Sequence, residues 1–92
     1  MQNVPIFIMY EDLGYNAKIL LFLLENGRVV RSKFKKSFNY YSAKTALEDL
    51  ESVGLTLYEA VGDHRDTVYW SLTEKGIEVA QRIKDLDDFI RN

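Results

Sequence analysis

Between positions 28 and 44 the chain carries six cations, Arg28, Arg31, Lys33, Lys35, Lys36 and Lys44, and not one acid. The rest is acidic enough to bring the 92 residues to a net charge of −2. A positive segment inside a negative chain makes a local field, and a polyanion meets the local field rather than the average. A solvated lysine-rich face has the same charge count, so composition alone leaves both readings open. Other chemistries have less to work with. There is no cysteine, which removes disulfides, thiolate zinc sites and cysteine nucleophiles. The one histidine, His64, has no histidine partner and reads either as an exposed turn residue without a role or as a charge that modulates its neighbour Arg65 below neutral pH. Asp85, Asp87 and Asp88 could chelate a hard cation, but they lack a glycine turn and loop spacing and read as a solvated helix end. No nucleophile–base pair, carboxylate dyad or phosphate-cradling glycine loop occurs, so no enzyme, cofactor or metal is expected.

The elements that position the cations follow from apolar spacing. A helix from about Tyr15 closes on Asn26-Gly27, the pair suited to a left-handed end. Its run Ile19 to Leu24 is apolar all round, which calls for cover on more than one side, and a second subunit could supply it. Before it, residues 4–10 suit either a helix ended by Gly14 or a strand. Val29-Val30 makes at most a strand stub. Val30, Phe34 and Phe38 then fall four apart, giving a short helix over about Ser32 to Ser37, with Ser32 as cap and the lysines pointing away from the apolar stripe. After a break at Asn39-Tyr40, Ala43, Ala46, Leu47, Leu50 and Val53 form the core side of a helix over about Tyr41 to Val53, ended by Gly54. Tyr41, Thr45, Glu48 and Ser52 take the opposite side, with Lys44 on the flank. Leu55 to Val61 and Thr67 to Leu72 alternate as two strands about a polar turn, and Trp70, in phase with Val68 and Leu72, belongs to the core. Tyr58 and Tyr69 are ordinary strand residues first. Thr73 caps a last helix, Glu74 to about Ile90, in which Val79, Ile83, Leu86 and Ile90 keep 4-3-4 spacing.

The longest apolar runs, residues 4–10 and 19–24, are far short of a membrane span, and the first residues lack a basic, cleavable leader pattern. We expect one cytoplasmic domain over residues 1–92, with a core of about 15–72 and a C-terminal helix of about 73–91.

Helix, strand stub, short helix, second helix, hairpin and long helix is the order of a winged helix-turn-helix: an α+β, mainly α fold with a three-helix core, a β-hairpin wing and a long C-terminal helix. AKILLFLLENG (17–27), SAKTALEDLESVGL (42–55) and YWSLTEKG (69–76) carry the resemblance. Over about residues 15–91 the chain resembles winged-helix regulators of the MarR type and the small archaeal dimeric proteins related to them. Leu47, Leu50, Gly54 and Leu55 match the recognition-helix ending, Ser71 to Gly76 match the junction after the wing, and Asp63 and Arg65 resemble the Asp-x-Arg pair of the wing.

That resemblance implies double-stranded DNA as partner. The start of the second helix, with Asn39, Tyr40, Tyr41, Ser42, Lys44 and Thr45, would enter the major groove. Hydroxyls and helix-start N–H groups suit phosphate oxygens, Lys44 a guanine edge and Thr45 a thymine methyl. Arg28, Arg31, Lys33, Lys35 and Lys36 would supply sequence-independent attraction, and Arg65 would aim at a minor groove. Glu48 opposes phosphates unless it accepts from a cytosine amino group. Asp49 and Glu51 read as a solvated face. A homodimer joined by Leu21, Leu24, Val79, Ile83, Leu86 and Ile90 is the expected assembly; packing of these residues within one chain is the alternative. The resemblance leaves a small-molecule effector open. The acidic stretch 45–66 favours a different role, a winged helix that docks other proteins without touching DNA.

Overall fold

Hydrophobic periodicity divides the chain into seven elements. In the computed structural model, which describes residues 4–62 and 67–91, these are α1 (Val4–Asn26), β1 (Val29–Val30), α2 (Arg31–Ser37), α3 (Tyr40–Ser52), β2 (Thr56–Val61), β3 (Thr67–Leu72) and α4 (Glu74–Arg91). The mainly helical winged-helix architecture expected from the sequence is present. One antiparallel sheet has the order β1-β3-β2. The stub β1 joins its inner strand by pairing Val29 with Trp70 and Val30 with Tyr69. Among the described residues no helix is long and apolar enough to cross a membrane.

The expected division before Tyr15 does not exist. Residues 4–26 form one helix, and Gly14 sits inside it. A glycine within a helix costs only about 1 kcal/mol against alanine, a penalty that packing of α1 on α4, α3 and β3 readily outweighs. Those three elements belong to the same chain, so the second cover for the apolar helix is largely internal. Ile19, Leu20 and Leu23 are buried, and Leu21, Phe22 and Leu24 are half-buried. At the other end Gly27 takes φ 71° and donates its N–H to Leu23 O at 2.8 Å, the expected left-handed closure.

α2 begins at Arg31, two residues earlier than a cap at Ser32 would require. Val30 is the capping residue and supplies no side-chain bond; β1 pairing fixes its extended backbone instead. Phe34 is buried, and with Phe22 and Phe38 it forms an aromatic cluster, both partners of the Phe22 ring lying at 5.2 Å. Tyr15 closes the cluster edge-on to Phe38. Such pairs add roughly 0.5–1.5 kcal/mol beyond the area they bury, and here they fasten α2 to α1.

α3 starts at Tyr40, where the Asn39 side chain accepts a hydrogen bond from the Ser42 N–H at 3.2 Å. Ala43, Ala46, Leu47 and Leu50 are buried as their spacing predicts. Val53 is not: it lies past the last helical turn and is 60% exposed. Gly54, at φ 81°, reverses the chain into β2, which starts at Thr56 rather than Leu55. Thr56 is buried and satisfies its hydroxyl on Leu47 O.

A tight junction joins α3 to α4. Thr73 Oγ1 donates to Gly54 O at 2.6 Å and accepts the Gly76 N–H at 2.9 Å, while the Thr73 N–H donates to Leu55 O at 3.1 Å. Gly76 is buried, and a Cβ there would collide with the Leu55 carbonyl. Thr73 is therefore the cap expected, and the glycine after it is demanded by close backbone approach.

Candidate nucleic-acid interface

Burial of Phe34, with Val30 and Phe38 half-buried beside it, turns the remaining α2 side chains outward. Arg31, Lys33, Lys35 and Lys36 are all exposed. Lys33 Nζ donates to Asn26 Oδ1 at 2.9 Å, and the Asn26 amide in turn caps Phe22 O at 2.8 Å, so Lys33 rests at the negative end of α1. Arg31, Lys35, Lys36 and Lys44 have no ion pair or hydrogen bond to any other side chain among the described residues. Unneutralised cations of this kind keep their whole field for a partner.

On α3 the residues opposite the core form an open stripe. Tyr41 is 84% exposed, and Thr45, Glu48 and Ser52 are exposed along the same line, with Lys44 to one side. Thr45 Oγ1 donates to Tyr41 O at 3.2 Å, which fixes its side chain against the helix and leaves its lone pairs outward. The N–H groups at the start of α3 lack intrahelical partners, Ser42 excepted because Asn39 caps it. This end suits an anionic oxygen.

Two predicted residues are employed otherwise. Tyr40 is half-buried, and its hydroxyl accepts from Trp70 Nε1 at 3.3 Å, tying the start of α3 to the centre of the sheet. Trp70 itself is buried and meets Tyr58 edge-to-face at 5.1 Å, a core residue as its strand phase required. Arg28 is separated from the lysines: it pairs with Glu59 at 3.1 Å and lies over the Tyr69 ring at 4.0 Å, on the outer face of the sheet. Sequence distance gave no warning of that arrangement, which depends on the register that sets Tyr69 between Val30 and Glu59. Arg65, with Asp63, His64 and Asp66, lies outside the described residues.

Sequence reasoning also missed a groove of about 450 Å³ between α1 and the open side of α3. Tyr15 and Asn16 line it from α1, and Tyr41, Ser42, Thr45, Ala46 and Asp49 from α3. The Tyr15 hydroxyl is buried with no partner among the described residues, and burial pushes its pKa up, so it stays a neutral phenol. Nothing in the spacing of α1 marks Asn16, because a helix apolar on all sides gives no hint of which polar residue will flank its neighbour.

The proposed self-association residues divide in two. Leu24, Val79 and Ile83 pack against the core of their own chain, and Leu21 is half-buried. Leu86 is 56% and Ile90 55% exposed, and Phe89 between them is 80% exposed. On a helical projection Val79, Ile83, Leu86 and Ile90 still make one stripe. Its first half is covered internally and its second half is bare.

No protein-family profile and no curated protein matches the sequence. Solved structures do. The apo form of the C30AH42A mutant of Lactococcus lactis ZitR is 25% identical, with a TM-score of 0.71 over 94% of this chain and 67% of that one. The transcriptional regulator homologue from Pyrococcus horikoshii OT3 is 23% identical, with a TM-score of 0.76 over 99% and 96%. Streptococcus pneumoniae FabT in complex with DNA is 18% identical, with a TM-score of 0.74 over 96% and 68%. Such neighbours are MarR-type and related winged-helix regulators, and this chain shares their fold.

Proposed function

We propose that the protein is a double-stranded DNA-binding transcriptional regulator that acts in the cytoplasm as a homodimer built from a single winged-helix domain. The observation that carries this reading is the exposed, unpaired set Arg31, Lys35, Lys36 and Lys44 around the open start of α3. In a helix-turn-helix the amino-terminal part of the second helix enters the major groove, and here that part bears Tyr41, Ser42, Lys44 and Thr45. Arg31, Lys35 and Lys36 would follow the phosphates beside it. The fold shared with FabT, whose structure contains DNA, supports the same role. Its test is a mobility-shift titration on random-sequence duplex across a salt series. Retardation at low salt that falls steeply as salt rises is expected, since each phosphate contact contributes about one to the log–log slope. Absence of retardation by folded protein at roughly 50 mM salt would reject the reading.

A second reading, a protein-docking winged helix, is favoured by the exposed acids Glu48, Asp49 and Glu51 on α3 and by the engagement of Arg28 with Glu59. A folded protein that retards no duplex is its expected behaviour.

A further inference from the structure

We infer that Glu48 determines base specificity, accepting a hydrogen bond from the exocyclic amino group of a cytosine about two base steps from the pair met by Lys44. This rests on α3 being the major-groove helix. Glu48 lies on the open stripe with Tyr41 and Thr45, directly opposite the buried Ala43, Ala46, Leu47 and Leu50. Its acidic neighbours are placed differently: Asp49 lines the groove against Tyr15 and Asn16, and Glu51 lies on the far flank beyond Lys44. Lys44 is one turn from Glu48, yet the two form no ion pair, whereas pairs at the same spacing close on α4 between Glu78 and Arg82 and between Lys84 and Asp88. The carboxylate is thus solvated and available.

A carboxylate entering a groove between two phosphate rails is repelled unless a donor receives it. The major-groove edges restrict that donor sharply. Guanine presents two acceptors, and thymine an acceptor and a methyl. Adenine has an amino donor, but its N7 acceptor sits alongside and repels the second carboxylate oxygen. Cytosine offers its amino group with no acceptor adjacent on the same base. Four residues of helix rise about 6 Å, and base steps on one strand are about 3.4 Å apart. Lys44 and Glu48 therefore meet pairs about two steps apart, Lys44 suited to guanine and Glu48 to cytosine.

Duplexes selected from a random pool by the wild-type protein, Glu48→Ala, Glu48→Gln and Lys44→Ala test this directly, with folding of each followed by circular dichroism. The wild type should enrich a guanine and a cytosine about two steps apart in each half-site. Glu48→Ala should lose the cytosine alone, the preference for matched over substituted duplex falling roughly ten- to a hundredfold. Its affinity for random duplex should hold or rise. Glu48→Gln should move the preference to adenine, which a carboxamide meets with a donor and an acceptor. If Glu48→Ala tightens binding to every duplex equally and keeps the wild-type preferences, Glu48 is only a repulsive charge and the inference is overturned. If the wild type retains no duplex at all, the DNA-binding reading itself fails, a result distinguishable from the first.

Discussion

Truncating an exposed cation that touches nothing else removes its field and little of the fold, so Lys44 and Arg31 separate function from stability cleanly. Lys44→Ala and Arg31→Ala should each weaken duplex binding, flatten the log–log salt slope by roughly one, and leave the melting temperature within a degree or two. Undiminished binding in both would remove the proposed surface. Arg28→Ala should behave differently, because its charge is already shared with Glu59 and its plane rests on Tyr69. It should change the salt slope by well under one unit. Arg28 looked equivalent to Arg31, Lys33, Lys35 and Lys36 in the sequence because counting charge ignores which side of a strand a residue occupies. Arg28 precedes β1 and faces the sheet; the others belong to helices whose buried stripes dictate where they point. Tyr40 deceived for a similar reason. A hydroxyl beside a helix start suits phosphate, but this one meets Trp70, 30 positions away in sequence.

Elements were most legible where one signal set both the stripe and the end. α3 has a clean i, i+3, i+4 core pattern, an asparagine cap and a left-handed glycine, and was placed to within one residue. α1 was not, since residues 4–10 suited either a helix or a strand and Gly14 looked like an end. The helix runs on through Gly14. The aromatic cluster that holds α2 is the place to test packing: Phe34→Ala should cost about 3–5 kcal/mol, and denaturant unfolding would measure it. At Gly76 a helix interior would ordinarily gain from alanine by about 0.5–1 kcal/mol. Here the added Cβ meets the Leu55 carbonyl, so Gly76→Ala should destabilise by at least about 1–3 kcal/mol. A stabilised variant would disprove the close approach.

At the scale of the whole molecule, the chain is long and thin, 55 by 24 by 23 Å, and the apolar side chains Leu86, Phe89 and Ile90 remain uncovered near one end of α4. Two copies joined there would present two α3 starts to successive major grooves, roughly 34 Å apart. Leu86→Glu combined with Ile90→Glu should give a monomer by light scattering, with the core intact because neither side chain belongs to it. Operator affinity should then fall at least tenfold, since the second half-site no longer binds in cis. A dimer that survives both charges would place the contact between copies somewhere other than Leu86 and Ile90. The 4-3-4 spacing was visible in the sequence, whereas the division of that stripe into covered and bare halves is set by tertiary packing.

The glycine contact where α4 leaves the wing also bears on how such a dimer would be tuned. With main chain against main chain and the Thr73 hydroxyl bonded on both sides, the junction leaves little room to absorb a tilt. The 18-residue arm extends about 27 Å from that point. It acts as a stiff pointer, so a rotation of about 5° at the junction displaces its tip by roughly 2 Å. Changes in how two tips meet would thus be transmitted almost undiminished to the distance between reading heads, and half-site spacing becomes a quantity set by the far end of the molecule.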